Sequence, residues 1–272
     1  MITPGSSNGT SNPNSRSEPN VWERFRCSAL ATDYDGTLAT HGTVDESARA
    51  ALLRFRASGR KVILVTGRRI ADLSEVYAHL DDFDVIVGEN GALLYWPRDR
   101  REESLAEPPP AEFVEFLVKA DVRPIERGRV IVATIEPHRH VVLEAIRSFG
   151  LELQVIFNKG SVMILPSGIN KATGLKRALK ELGIRPEAVA GVGDAENDHA
   201  LLDFCGLSAA VANALPALKE RAAVVLSGAH GEGVGELIDL ILGHESDGME
   251  GGNPSSILNP TAADAQAMKS PH

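Results

Sequence analysis

A parallel β-sheet covered by helices on both faces, interrupted by a small α+β unit, is the architecture this sequence predicts. Three observations lead there. Short apolar runs rich in β-branched residues alternate with stretches of helical spacing. The runs are continuously apolar, as strands buried on both faces are, and do not alternate with polar residues. The rhythm lapses between residues 93 and 166 and then resumes.

Residues 27–33 are the first apolar run, which stops at a polar loop beginning with Asp33. Asp45 can cap a helix that reaches about Ala57, with Ala51, Leu52 and Phe55 on one face and Gly59 ending it. Residues 61–65 form a second buried strand, stopping at Thr66-Gly67-Arg68, and residues 70–80 have helical spacing. Val85-Ile86-Val87 is a third strand, ending at Gly88-Glu89-Asn90-Gly91. Residues 98–110 read as a polar, proline-rich break. A helix (111–120), a strand (130–135), a helix (139–149) and two strands turning at Asn158-Lys159-Gly160 follow. The first rhythm returns at Lys171 with a helix to Leu182, a strand at 188–192 and a helix at 196–204. A strand at 207–211, a short helix at 215–222, a strand at 224–226 and a last helix at 234–242 complete it. The expected organisation is a discontinuous main domain (21–92 and 167–244) carrying an inserted α+β domain (93–166), with no internal repeat. Of the first 20 residues, 14 are Ser, Asn, Gly or Pro, so 1–20 is expected to be a disordered tail, as is the Gly- and Pro-interrupted stretch 245–272.

The chain has 272 residues, 43% hydrophobic and 24% charged, an ordinary globular composition with room for a sizeable core. Its formal net charge of −9 argues against general binding to nucleic acid or an anionic membrane, which needs a basic face. No apolar run reaches the roughly 18 residues of a membrane-spanning helix, and the N-terminus lacks a signal-peptide pattern. Cys27 and Cys205 are far apart in apolar stretches, which fits buried thiols in a reducing cytoplasm.

In open parallel sheets, ligands bind beyond the carboxyl ends of the strands. Three strands end there in reactive residues: Asp33 and Asp35, then Thr66, then Asp194 and Asp198. Carboxylates gathered in one crevice repel each other unless a cation sits among them, and an all-oxygen set with open positions suits Mg²⁺. A metal and a nearby lysine, for which Lys171 is the candidate, would let a carboxylate attack phosphorus. Thr66 and the backbone N–H groups after Asp35 could hold the transferring oxygens. Each residue also has a plainer reading. Asp33 and Asp35 could lie in a strand-end turn closed by Gly36, Asp194 could cap a helix, Lys171 could be a solvated helix lysine, and Thr66 could simply end a strand.

Taken together, these segments resemble the haloacid dehalogenase superfamily of phosphohydrolases. Asp33-Tyr34-Asp35-Gly36-Thr37 is similar to its first motif, Thr66-Gly67-Arg68 to its second, Lys171 in Gly168-Ile169-Asn170-Lys171 to its third, and Gly193-Asp194-Ala195-Glu196-Asn197-Asp198 to its fourth. All four fall in order, each at a predicted strand end or helix start. Gly88-Glu89-Asn90-Gly91 and Val211-Ala212-Asn213-Ala214 resemble features of the branch whose cap lies between the second and third motifs. The resemblance implies a doubly wound, Rossmann-like core and an α+β cap. It implies Asp33 as nucleophile and metal ligand, and Asp35 as acid–base that also lends its carbonyl to the metal. Asp194 would be a direct ligand, with Asp198 a ligand or a holder of the metal's water. Lys171 would bridge Asp33 and phosphate, and Thr66, with Gly36, Gly67 and Asn197, would line the phosphate site. An acid–base two residues after the nucleophile favours rapid turnover of a phospho-enzyme.

The expected activity is Mg²⁺-dependent hydrolysis of a small phosphorylated metabolite, a sugar phosphate or a phosphoglycolate-like compound, by a monomer or homodimer. A phosphotransferase or phosphomutase of the same design, or a non-catalytic regulatory module, are the alternatives. Arg123, Arg127 and Arg129 are candidates to meet an anionic substrate from the cap. His199, His138 and His140 read as packing or solvated residues, because Mg²⁺ prefers oxygen.

Overall fold

The computed structural model describes residues 25–158 and 160–250, and of 245–250 only the backbone. The expected N-terminal tail lies outside the described residues, as do Lys159 of the expected turn and 251–272 of the expected C-terminal tail. Along the chain come β1 (Ala29–Thr32), α1 (Glu46–Ala57), β2 (Lys61–Val65), α2 (Ile70–Val76), β3 (Val85–Gly88), β4 (Leu93–Trp96) and β5 (Arg101–Ser104). Then follow α3 (Ala111–Lys119), β6 (Glu126–Arg127), β7 (Val132–Ile135), α4 (Arg139–Phe149), β8 (Leu153–Asn158) and β9 (Ser161–Pro166). The last group is α5 (Lys171–Leu182), β10 (Val189–Gly193), α6 (His199–Phe204), β11 (Leu207–Ala210), α7 (Pro216–Lys219), β12 (Val224–Val225) and α8 (His230–Glu250).

The large sheet has the order β12-β11-β10-β1-β2-β3-β4-β5. From β12 to β3 the pairing is parallel, and β4 and β5 add antiparallel. Its central strands are buried throughout, as their continuous apolar runs require. One apolar layer joins the sheet to α1 and α8 through Leu52, Phe55, Leu237 and Ile238; the opposite layer joins it to α5 through Leu175, Ala178 and Leu179. Local signals set the helices. The Asp45 carboxylate accepts the Ala48 N–H at 2.8 Å to start α1, and Asn170 with Thr173 makes a reciprocal cap at the start of α5.

Several elements differ from the sequence reading, among them the strands β4 and β6, which it does not contain. The helix expected over 70–80 stops at Val76, because Tyr77 turns inward and donates its hydroxyl to Asp82 at 2.6 Å, where the Arg49 guanidinium also binds at 2.7 Å. Within the expected break at 98–110 lies β5, an edge strand of the large sheet. Its charge hides it. The Arg101 guanidinium stacks 3.4 Å from the Trp96 ring centroid, and Glu103 pairs with Arg177 at 2.8 Å, so polar side chains blunt an exposed edge. The domain boundary expected at residues 92 and 93 therefore cuts through the sheet, whose last strand ends at Ser104. The final helix also continues past the boundary expected at 244, to Glu250.

The inserted unit is two helix–hairpin pieces, α3 with β6 and β7, then α4 with β8 and β9, sharing one antiparallel sheet of order β6-β7-β9-β8. Phe113, Leu117, Val142 and Ala145 fill the space between its helices and one sheet face. The other face lies toward the large sheet, where Val130, Ile131, Met163 and Leu165 pack with Ala92.

Candidate active site

β1 lies between β10 and β2, and the chain leaves it toward β2 and β3 on one side and returns to β10 and β11 on the other. That is a topological switch point, where the loops part and leave a crevice. Thr32 is level with Val192 on one side and Leu64 on the other, so the three strands end together and Asp33, Asp194 and Thr66 meet.

Asp33, Asp194 and Asp198 are buried, and each presents a carboxylate oxygen within 4.8 Å of the others. Lys171, fully buried as the first residue of α5, places Nζ 2.5 Å from Asp33 Oδ1 and 2.5 Å from Asp198 Oδ1. Asp198 Oδ2 accepts the backbone N–H groups of Asp194 at 2.9 Å and Ala195 at 3.0 Å, which shapes the loop after β10. Thr37 donates its hydroxyl to Asp194 at 3.1 Å. Burial pushes the Asp33 carboxyl up to about 7; Lys171 pulls against this, and Asp198 and Asp194 add to the rise. Burial works against the Lys171 ammonium, but Asp198 and Asp33 outweigh it and hold the group well above its usual range. Three carboxylates against one ammonium leave excess negative charge in a place shielded from water.

Asp35 and Asp33 both border a cleft of about 530 Å³ between the strand ends and the insert. Arg68 grips Asp35 with both prongs, Nε to Oδ2 at 2.7 Å and Nη2 to Oδ1 at 2.8 Å, and lies over the Tyr34 ring. Thr66 is fully buried, and its hydroxyl oxygen accepts the Arg68 N–H at 3.1 Å. Asn197 donates to Asn90 Oδ1 at 3.1 Å and lines the cleft together with Gly67. The Gly36 carbonyl accepts from Asn213 Nδ2 at 2.8 Å and sits 2.9 Å from His230 Nδ1. Of the sequence-predicted site residues, Asp33, Asp35, Gly67 and Asn197 line this cleft, and Lys171, Asp194 and Asp198 are buried beside Asp33.

The insert contributes Glu126, Ile131, Ala133, Asn158, Ser161 and Met163 to the cleft. The cap arginines do not line it. Arg123 pairs with Asp121 and Arg129 with Glu102, both largely exposed. On the main-domain side, Arg69 is held by Asp72 at 2.5 Å, with Glu126 at 3.6 Å. Sequence reasoning missed Arg68 as the partner of Asp35, Thr37 as the partner of Asp194, and the buried Glu89 discussed below. For Arg68 the signal was its place directly after Thr66-Gly67 at a strand end.

Known proteins share this chain's sequence pattern and fold. Residues 30–122 and 143–238 match the profile of the haloacid dehalogenase-like hydrolases. A phosphoglycolate phosphatase of Methanothermobacter thermautotrophicus is 32% identical over 228 residues, covering 79% of this chain and 99% of that protein. Phosphoglycolate phosphatase 2 of Saccharolobus solfataricus is 31% identical over 78% of this chain and 91% of its own. A HAD/COF-like hydrolase of Plasmodium vivax superposes with a TM-score of 0.71 at 22% identity, covering 82% of this chain and 98% of that one. Protein 0175 of Thermoplasma acidophilum superposes at 0.67 and 18% identity, covering 79% and 99%. These two likenesses concern the fold. Among the described residues no helix is long and apolar enough to cross a membrane. The chain belongs to the haloacid dehalogenase-like hydrolase family and is a phosphatase within it.

Proposed function

We propose that this phosphatase acts on the phosphate monoester of a small polyhydroxylated compound, with Asp33 as nucleophile. The observation that carries the reading is the buried Asp33–Lys171–Asp198 arrangement, which opens through Asp35 and Arg68 onto the cleft. Lys171 holds an oxygen of Asp33 and keeps the carboxylate aimed. An oxygen of Asp33 attacks phosphorus, the bond to the leaving oxygen breaks, and Asp35 supplies that oxygen with a proton. Water then attacks the phosphorus of the aspartyl-phosphate, Asp35 takes the water's proton, and the bond to Asp33 breaks to free inorganic phosphate. Thr66, Gly67, Gly36 and Asn197 surround the space for the transferred group.

The donor set fits Mg²⁺. It is all oxygen, buried, and negative beyond what Lys171 neutralises. Asp33 and Asp194 would hold it, with the Asp35 carbonyl alongside; Asp198, both of whose oxygens already accept hydrogen bonds, would order the loop. Bound there, magnesium supplies positive charge to the carboxylates and to the phosphoryl oxygens.

The relatives are named for phosphoglycolate, which carries a carboxylate beyond its phosphate. The leaving-group side of this cleft holds Asp72, Glu75 and Glu126 against Arg69, whose guanidinium Asp72 already occupies. Carboxylates accept hydrogen bonds from hydroxyls and repel a second carboxylate, so a sugar or polyol phosphate suits this lining better. Phosphate release from a panel of monoesters, with Mg²⁺ and with EDTA, tests the reading. Release should require the metal and be abolished in Asp33→Asn; full activity in that variant would sink the covalent route.

A further inference from the structure

Glu89 is a buried carboxylate that the chemistry above does not use, 1% exposed and just beyond β3. Its side chain crosses from the main sheet to the insert. There Oε1 accepts the N–H of Arg129 at 2.7 Å, and Oε2 accepts those of Val130 at 2.8 Å and Ile131 at 2.9 Å. The loop is shaped to admit it: a Cβ on Gly128 would lie 2.4 Å from the Glu89 carboxyl carbon. Glu89 and the following Asn90 both have left-handed backbone, with φ of 50° and 55°, an uncommon conformation for residues other than glycine. That turn aims Glu89 at the insert while its backbone stays tied to the active site. The Glu89 N–H donates to the Arg68 carbonyl at 3.0 Å, and the Asn90 N–H to the Thr66 carbonyl at 2.9 Å. The Asn90 side chain accepts from Asn197 beyond β10. Gly91, at φ 103°, lies so close to Asn170 that a Cβ would fall 1.9 Å from its carbonyl oxygen, one residue before Lys171. Three consecutive residues, Glu89, Asn90 and Gly91, thus touch the loops carrying Thr66, Arg68, Asn197 and Lys171, and the first of them grips the insert.

We propose that Glu89 is the positioning residue that seats the insert over the nucleophile. Ile131, whose N–H it holds, lines the cleft directly, so the grip fixes the cover against which the leaving group packs. Three charge-assisted hydrogen bonds hold residues 129–131 at once, so loss of the carboxylate loosens that cover as a unit. The inference rests on the reading of this crevice as a phosphatase site covered by the insert.

The test is Glu89→Gln in the full chain. An amide keeps one acceptor oxygen and turns N–H donors toward backbone N–H donors, so all three bonds cannot persist. Hydrogen exchange at Arg129, Val130 and Ile131 should rise at least about tenfold in the variant. With glycerol phosphate as probe, KM should rise more than kcat falls. With acetyl phosphate, whose smaller leaving group offers less surface to that cover, the KM change should be smaller. Gly128→Ala, which crowds the carboxylate from the other side, should reproduce the exchange phenotype, and adding it to Glu89→Ala should have no further effect. Unchanged exchange at 129–131, equal KM changes for both probes, or additive effects in the double variant would each overturn the proposal. Exchange needs no turnover, so its result stands apart from failure of the phosphatase reading, which Asp33→Asn tests with acetyl phosphate alone.

Discussion

Arg68 holds Asp35 by two parallel contacts, and this geometry does more than neutralise a charge. The planar fork fixes the orientation of the carboxylate beside the cleft, which a lysine, a point charge on a flexible stem, cannot do. Arg68→Ala is expected to lower kcat by roughly 10- to 100-fold through misplacement of the proton-transfer group. Arg68→Lys should recover little of that loss. Wild-type kcat in the lysine variant would show that charge alone matters. The pair was hidden in the sequence, where Arg68 and Asp35 stand in separate motifs at the ends of two different strands. Only the parallel pairing of β1 with β2 brings those ends side by side. Lys171 teaches the same lesson. By spacing alone it is a solvated lysine at a helix start, yet the fold buries it completely between two carboxylates. The aspartates were readable for a different reason. Each sits where an apolar run meets a polar loop, and that junction is visible in one dimension.

At the scale of elements, what was legible depended on whether local chemistry or a distant partner set the boundary. The ends of α1 and α5 follow from Asp45 and Asn170, which act within three residues. The early end of α2 follows from Tyr77, Asp82 and Arg49 meeting across the fold, and no window of sequence contains all three as neighbours. β5 failed for another reason, since an edge strand stabilised by ion pairs lacks the apolar signature used to find strands. The cap of α1 makes a quantitative prediction. Hydrogen bonds from the Ser47 hydroxyl and then the Ala48 N–H hold the Asp45 carboxyl below its usual 3.8. Since the native pKa is depressed, the unfolded chain binds the proton first. The cap therefore stabilises fully above about pH 4 and loses its effect as pH falls through the native value. Asp45→Ala should cost about 1 kcal/mol, or roughly 2–4 °C in Tm, near neutral pH. The gap between wild type and variant should hold from about pH 5 to 8 and narrow below about pH 4. A gap of the same size at about pH 3 would mean that the ionised cap is not its source.

The whole molecule produces something neither sheet holds alone. The end of β1 presents Asp33, the proposed nucleophile, and the start of α5 presents Lys171, while the insert brings Glu126 to the same cleft as Asp72 and Glu75 of α2. Both halves of the crevice carry more carboxylates than cations, and only the inner half holds the buried all-oxygen set that fits a metal ion. Near Asp33, Lys171 pairs with Asp33 and Asp198 and Arg68 with Asp35; in the outer cleft carboxylates outnumber Arg69 by three to one. A leaving group with hydroxyls finds acceptors there, whereas one with a carboxylate meets like charge in a partly enclosed space of low effective dielectric. Wild-type protein should accordingly turn over a polyol phosphate such as erythritol 4-phosphate with kcat/KM at least about tenfold above that for phosphoglycolate, a difference of about 1.4 kcal/mol in transition-state binding. Glu126→Lys removes one negative charge from the outer cleft and adds a positive one. It should narrow or reverse the ratio, chiefly through a lower KM for phosphoglycolate. The effect should weaken as salt rises, because Glu126 is about half exposed and its field is screened. If wild type prefers phosphoglycolate and Glu126→Lys leaves the ratio unchanged, the outer carboxylates do not choose the substrate, and specificity must come from the apolar cover formed by Ile131 and Met163.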